Sequence, residues 1–119
     1  MIEVSNLVKR YGDKTAVNNI SFTVHDGEVT GFLGPNGAGK TTTMNILTGY
    51  ISSNEGSVRI NGLDILEEPV KTKRLIGYLP EHPPLYLDMT VRDYLLFVCG
   101  LKDYKKYREA HIKEICELV

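Results

Sequence analysis

The chain has no marked excess of charge and no long apolar run, and these absences exclude several classes of protein. Its 14 Lys and Arg face 15 Asp and Glu, which gives a formal net charge of −1. A chain dominated by nucleic-acid binding would carry a basic excess, so no nucleic-acid partner is expected. No apolar run approaches the ~20 residues needed to cross a bilayer. Because Glu3, Ser5 and Asn6 also interrupt any signal-peptide core, a cytoplasmic location is expected.

Cysteine is scarce as well, since Cys99 and Cys116 are the only two in 119 residues. Both fall on the apolar faces of predicted helices, which favours buried, reduced thiols over a disulfide or a metal pair. The sequence contains no internal repeat and no low-complexity linker. Its length is sufficient for one small hydrophobic core.

One stretch, residues 34–41, carries a chemical signature. Its sequence, GPNGAGKT, fits the pattern G-x-x-x-x-G-K-[ST] of a loop that binds a nucleotide triphosphate. The glycines let successive N–H groups point inward, Lys40 then reaches the outer phosphates, and Thr41 is a Mg²⁺ ligand. A buried strand is predicted before the loop, over 28–33, and a helix after it, so the helix dipole favours a bound anion. A plain Gly-rich turn beside a solvated lysine is the alternative, and these two neighbours disfavour it.

The rest of the sequence predicts an antiparallel start followed by α/β structure. Alternating apolar residues predict two strands, 2–9 and 16–24, joined by a turn at 11–14. Asp26-Gly27 and Asn61-Gly62 are typical turn pairs. The later predictions are strands at 57–60 and 75–79, irregular chain over 63–69, and a short helix at 69–74 that begins with a proline.

Two amphipathic helices are predicted towards the end of the sequence. Thr90 is suited to cap the first, with Asp93 at the third helical position, and Gly100 is suited to end it. The second begins near Tyr107, and its apolar stripe is still in phase at Val119. Because no Gly, Asn or Pro stop signal follows, we expect the chain to be cut inside a helix.

Several motifs together resemble the nucleotide-binding domain of ATP-binding cassette (ABC) transporters. They are the loop GPNGAGKTT, an aromatic residue upstream of it, SVRING and GYLPE, and the similarity covers residues 1–119. It implies an α/β fold of the phosphate-loop NTPase class, with an antiparallel β-subdomain and part of a RecA-like core over 1–89. The start of a helical subdomain is implied over 90–119. The sequence is most similar to bacterial ATPase subunits that partner separate membrane-spanning exporter or permease subunits.

The resemblance also assigns roles to individual residues. Tyr11 would stack on adenine, Thr42 would support the inner phosphate, and Glu81 stands where most members carry a glutamine that contacts Mg²⁺ and relays nucleotide state. A carboxylate oxygen suits such a hard cation. Alone, Tyr11 would be a surface turn residue and Glu81 a solvated loop charge. The implied nucleotide-binding set is Tyr11, Gly34, Pro35, Asn36, Gly37, Ala38, Gly39, Lys40, Thr41 and Thr42, with Thr41 and Glu81 at the metal and Lys40 and Glu81 in catalysis or coupling.

Family members need further groups that this sequence does not hold: a strand ending in Asp-Glu, a Ser-Gly-Gly signature and a late histidine. Phosphoryl transfer depends on a positioned water and compensated charge, so this chain is expected to bind Mg-ATP but to hydrolyse it slowly or not at all. The resemblance implies that the complete protein forms a head-to-tail homodimer and couples ATP hydrolysis to transport through a permease at the inner membrane face. The alternatives are a non-catalytic nucleotide-binding or structural module and an unrelated phosphate-loop enzyme, such as a nucleoside kinase. A GTPase is disfavoured because no Asn-Lys-x-Asp motif occurs.

Overall fold

A computed structural model describes residues 1–119, which divide into two compact units, Met1–Tyr78 and Leu79–Val119. The predicted boundary between residues 89 and 90 stays a prediction. The first unit holds β1 (Ile2–Tyr11), β2 (Lys14–Val24), α1 (Lys40–Leu47), β3 (Glu55–Ile60), β4 (Leu63–Asp64) and α2 (Pro69–Leu75). The second unit holds α3 (Val91–Leu101) and α4 (Arg108–Leu118).

The four strands form one antiparallel sheet in the order β2-β1-β3-β4. The predicted N-terminal hairpin is confirmed, with Gly12 at φ 56° in its turn. The strand predicted at 57–60 is confirmed within β3. Asn61 and Gly62, at φ 50° and 79°, then turn the chain back into β4, as a two-residue hairpin turn with two positive φ angles does. The prediction of irregular chain over 63–69 is therefore wrong at its first two residues, which this turn aligns with β3.

The hydrophobic core lies between the sheet and α1. Leu7 of β1 is fully buried, at 0% exposure, and Ile46 brings the apolar face of α1 against it. Val17, the first apolar residue of the predicted alternation in β2, is buried, while Ile20 and Phe22 pack at the edge. Each such side chain contributes about 1.5–3 kcal/mol when fully buried. The buried cluster comprises Val4, Leu7, Val17, Ile46, Val58, Ile60 and Ile65.

A pair of asparagines explains why the alternation in β2 is interrupted. Asn6 and Asn19 both adopt left-handed backbone conformations, at φ 50° and 51°, and Asn6 Nδ2 donates to Asn19 Oδ1 at 3.0 Å. The strand register shifts between Val4 and Leu7. Asparagine tolerates this conformation better than most side chains, so the pair forms a matched irregularity across two strands. Gly56 of β3 faces it, and a Cβ there would lie 2.4 Å from the Asn6 carbonyl oxygen.

Two predicted strands, 28–33 and 75–79, do not form. Residues 28–33 are irregular, and the side chains of Val29 and Leu33 are 103% and 93% exposed. Most of the second segment is also irregular, since α2 runs to Leu75. A strand inside a parallel sheet depends on neighbours at both edges, and neither segment belongs to the sheet. The apolar composition of both segments predicted strands inside a sheet. The four strands of this chain do not pair with either segment.

The second unit confirms both predicted helices. Thr90 Oγ1 accepts from the Asp93 N–H at 3.1 Å, as expected of the cap, although α3 ends one residue beyond Gly100. Arg92 pairs with both carboxylate oxygens of Glu109, at 3.0 and 3.1 Å. The expectation that both thiols are buried is wrong for Cys116, which is exposed because the face of α4 is covered mainly at Ile112; Cys99 is half-buried. None of the four helices has the length and apolar character needed to cross a bilayer.

Candidate nucleotide-binding site

The predicted phosphate loop, residues 34–41, follows the irregular segment 28–33 and includes Lys40 and Thr41, the first two residues of α1. Within it the Ala38 N–H donates to the Pro35 carbonyl at 3.2 Å, which closes a turn. Gly37 and Gly39 follow with φ angles of 83° and 88°, a region that glycine occupies without steric cost. The two glycines therefore set the curvature of the loop.

Gly39 has a second reason to be glycine, because the loop here approaches β2 closely. A Cβ built on Gly39 would lie 2.2 Å from the Ala16 carbonyl oxygen and 3.3 Å from Val17 Cγ2. No side chain could fit without a backbone shift. The start of α1 thus packs against β2. Tyr11 lies on β1, the other strand of the same hairpin.

The ammonium group of Lys40 lies inside its own loop. Lys40 Nζ donates to the Pro35 carbonyl at 2.7 Å and to the Gly34 carbonyl. Two carbonyl dipoles thereby compensate the positive charge of Lys40. The ammonium is therefore held against the backbone of the loop.

The N-terminus of α1 offers donors to an anion. The first hydrogen bond of the helix runs from the Thr43 N–H to the Gly39 carbonyl at 2.8 Å, so the preceding amides have no intrahelical acceptor. Gly39 supplies no side-chain cap for them. Thr41 is exposed and Thr42 is half-buried. The Thr43 hydroxyl instead donates a hydrogen bond to the Gly39 carbonyl at 2.9 Å. Free amides and the positive end of the helix dipole therefore lie at the end of α1 that begins with Lys40.

Tyr11 stands at the end of β1 with its side chain 51% exposed. The Nζ atom of Lys9 lies over its ring, 5.2 Å from the centroid. The ring is therefore held on the surface of the first unit and not packed into its core. Such a placement suits a stacking platform.

Glu81 belongs to the second unit, where it is exposed in an irregular bend next to His82. Its predicted contact with the metal stays a prediction. The chain has no group of three or more His, Cys, Asp or Glu side chains arranged to hold a metal ion. Any Mg²⁺ at this site would therefore depend on few protein ligands, a behaviour typical of an ion that retains waters and binds through substrate phosphates.

The residues present fit a triphosphate. The loop backbone is open to approach, because Gly37 has nothing within 4 Å of a Cβ position and the loop from residue 34 to 38 is exposed. Backbone amides and the Lys40 ammonium are donors without competing carboxylates among residues 34–41. The Thr41 hydroxyl adds a hard oxygen suited to Mg²⁺. The loop and sheet define a phosphate-loop nucleotide-binding domain.

Residues 17–119 match the sequence model of the family described as ABC transporter. The chain belongs to the ABC transporter family, and its relatives are ATP-binding proteins of that family.

Two curated relatives from Bacillus subtilis (strain 168) illustrate the similarity. The uncharacterized ABC transporter ATP-binding protein YxlF is 39% identical over 120 residues, which is 100% of this chain and 39% of the relative. The linearmycin resistance ATP-binding protein LnrL is 40% identical over 97 residues, which is 82% of this chain and 31% of the relative. The chain therefore spans less than half the length of the relatives it matches.

Solved structures agree on the fold. An ATP-binding subunit of an ABC transporter superposes with a TM-score of 0.80 at 29% identity, covering 89% of this chain and 44% of the other. The dimeric post-hydrolysis structure of the ATP-binding cassette MJ0796, bound to ADP and Pi, gives a TM-score of 0.79 at 24% identity, over 96% of this chain and 55% of the other. The α/β fold class implied by the sequence resemblance is confirmed.

Sequence reasoning missed two contacts at the site. The approach of Gly39 to the Ala16 carbonyl has no local sequence signal, because it joins residues from separate elements. The contact between Lys9 and Tyr11 did have one, since residues i and i+2 of a strand point to the same face.

Proposed function

We propose that this chain binds Mg-ATP and forms the ATP-binding part of a transport ATPase. The triphosphate would lie in the loop 34–41, with Lys40 on the outer phosphates, Thr41 on Mg²⁺ and Thr42 near the inner phosphate. The adenine would stack on Tyr11, a contact worth ~1–3 kcal/mol for a base on an aromatic ring. The observation that carries the proposal is the Lys40 ammonium held against the backbone of a loop that leads into the uncapped N-terminus of α1.

The longer protein would hydrolyse ATP and couple the reaction to transport. Supporting this, relatives named as ABC transporter ATP-binding proteins match the chain along its length. In that protein we propose a head-to-tail dimer and a permease partner at the inner membrane face, with Glu81 as a metal or coupling residue. The proposed dimer is supported by the cassette MJ0796, which shares the fold of this chain and is dimeric in its structure bound to ADP and Pi.

Nucleotide binding is tested by titrating a fluorescent ATP analogue with Mg²⁺ into the chain and into Lys40→Ala. We expect weak, saturable binding in the first and a loss of at least tenfold in the second, because charge-assisted hydrogen bonds to phosphate are lost. Lys71→Ala, which removes a lysine from α2, is the matched control and should bind normally. Equal binding by the chain and by Lys40→Ala would reject the phosphate-loop assignment.

Turnover is a separate question, and we propose that the chain alone has none. The segment 28–33, which leads into the loop, lacks sheet neighbours in this chain. The loop is then supported on its α1 side alone, and such partial support positions phosphate and water poorly. A steady-state ATPase rate that disappears in Lys40→Ala would contradict this proposal, whereas binding without such a rate would support it.

A further inference from the structure

The strand end that carries Tyr11 is tied to the segment that follows α1. Lys9 Nζ donates to the Ser52 carbonyl at 2.7 Å. The Asn54 N–H donates to the Val8 carbonyl at 2.8 Å, and the Arg10 N–H donates to Asn54 Oδ1 at 2.7 Å. The end of β1 is therefore fixed by side chains as well as by the sheet.

Lys9 makes two contacts at once. While its ammonium donates to Ser52, the same nitrogen lies 5.2 Å from the centroid of the Tyr11 ring, over one face. A cation in this position is attracted by the π electrons of the ring. One face of the Tyr11 ring is thereby occupied, and the residue as a whole remains about half exposed.

The Ser52 end of this contact is connected to the phosphate loop through α1. Lys40 is the first residue of α1, and after the helix the N–H groups of Tyr50 and Ile51 both donate to the Asn45 carbonyl, at 2.9 and 3.3 Å. Ser52 follows directly. The strand end that carries Tyr11 is thus hydrogen-bonded to the segment that follows α1.

We infer that Lys9 is a positioning residue for the nucleotide base: it holds one face of Tyr11 and leaves the other face for adenine. The inference rests on the proposed function, since it concerns the same site. Lys9 contacts Ser52 and the Tyr11 ring and not the loop 34–41, so it would act on base recognition through Tyr11. The contribution of Lys9 to base recognition can therefore be measured separately from the contribution of Lys40 to phosphate binding.

The test compares Lys9→Met, which keeps the length of the side chain but removes the cation, with Lys9→Arg, which keeps the cation. Each is titrated with Mg-ATP and with inorganic tripolyphosphate, which has the phosphates and no base. We expect Mg-ATP affinity to fall ~two- to fivefold in Lys9→Met and to be retained in Lys9→Arg. Tripolyphosphate affinity should be the same in all three proteins. Lys71→Met serves as the control for the loss of one positive charge.

A second readout reports on the ring itself. The chain contains no tryptophan, so Tyr11→Trp introduces a single fluorescent indole at the platform. Stacking of adenine on it should quench its emission, and we expect the quenching at saturating Mg-ATP to be smaller when Lys9→Met is added. A merely structural role for Lys9 would not produce this change at unchanged tripolyphosphate affinity.

The outcomes separate the two proposals. Equal Mg-ATP affinities in the unsubstituted chain and Lys9→Met, or equal losses in Lys9→Met and Lys9→Arg, would overturn the role of Lys9 and leave the proposed function standing. Failure of the unsubstituted chain to bind either Mg-ATP or tripolyphosphate would overturn the proposed function, and the role of Lys9 with it.

Discussion

Lys40 Nζ and the Pro35 carbonyl oxygen lie 2.7 Å apart, so the lysine that closes the loop also braces it. The same carbonyl accepts the Ala38 N–H at 3.2 Å. A bound phosphate would compete with these carbonyls for the ammonium. In the absence of phosphate, the loop carbonyls therefore act as the acceptors of the Lys40 ammonium.

This bracing predicts that the ligand-free loop loosens when Lys40 becomes Met. The substitution removes the two exposed hydrogen bonds of Lys40 Nζ, to the Gly34 and Pro35 carbonyls, which together contribute about 1 kcal/mol of local stability. Amide hydrogen exchange at Ala38 should then rise about fivefold. Exchange at Gly49, whose N–H donates to Ile46 at 2.9 Å, should not change and provides the internal control. Equal exchange at Ala38 in both proteins would contradict the bracing role.

The two positive-φ glycines of the loop should respond differently to alanine. Gly37→Ala has free space around the new methyl group and carries only the cost of a left-handed backbone, about 1 kcal/mol. Gly39→Ala adds a clash with the Ala16 carbonyl oxygen, at 2.2 Å, so we expect a loss of about 2–4 kcal/mol or a displaced loop. Urea unfolding of the two variants measures the difference. Equal losses would show that the approach of Gly39 to β2 is not maintained in solution.

The sequence was most informative where a local rule decides the structure. The phosphate loop, the first hairpin, the Pro69 start of α2 and the Thr90 cap each depend on residues within a few positions of one another. The hairpin, the start of α2 and the cap are confirmed, and the binding of a triphosphate by the loop stays a prediction.

The sequence was less informative where contacts between separate elements determine the structure. Segment 28–33 has the composition of an interior strand, but composition does not supply the strands that would pair with it. The contact of Gly39 with Ala16 also joins separate elements. The adenine-stacking role of Tyr11 and the metal role of Glu81 stay predictions, because they depend on a ligand and not on the fold.

Thr90 provides a test of the second unit. Its hydroxyl accepts from the Asp93 N–H at 3.1 Å and donates to Asp93 Oδ2 at 2.8 Å. Thr90→Ala should destabilise α3 by about 1 kcal/mol, whereas Thr90→Ser keeps the hydroxyl and should lose less. Because α3 belongs to the second of the two compact units, helix content should be followed by circular dichroism and local stability by hydrogen exchange within α3. If Thr90→Ser is as destabilising as Thr90→Ala, the loss does not come from the cap.

The exposed segment 28–33 leads to the last prediction. The side chains of Val29 and Leu33 are almost fully exposed, so they add little to the stability of this chain, although exposed apolar groups next to unpaired backbone favour association. We expect the double variant Val29→Ser, Leu33→Ser to change the free energy of unfolding by less than about 0.5 kcal/mol. It should also reduce the concentration dependence of the sedimentation coefficient.

Leu7→Ala is the contrasting variant, because Leu7 is fully buried and its truncation should cost about 2–5 kcal/mol. In a protein of the length of the relatives, added strands could cover segment 28–33, and the same two serines should then become destabilising. A destabilising effect of the serines in the longer protein only would show that segment 28–33 is buried by added strands. No effect in either protein would show that the segment is solvated in both. A loss in the double variant close to that of Leu7→Ala, already in the 119-residue chain, would mean that the segment is buried there.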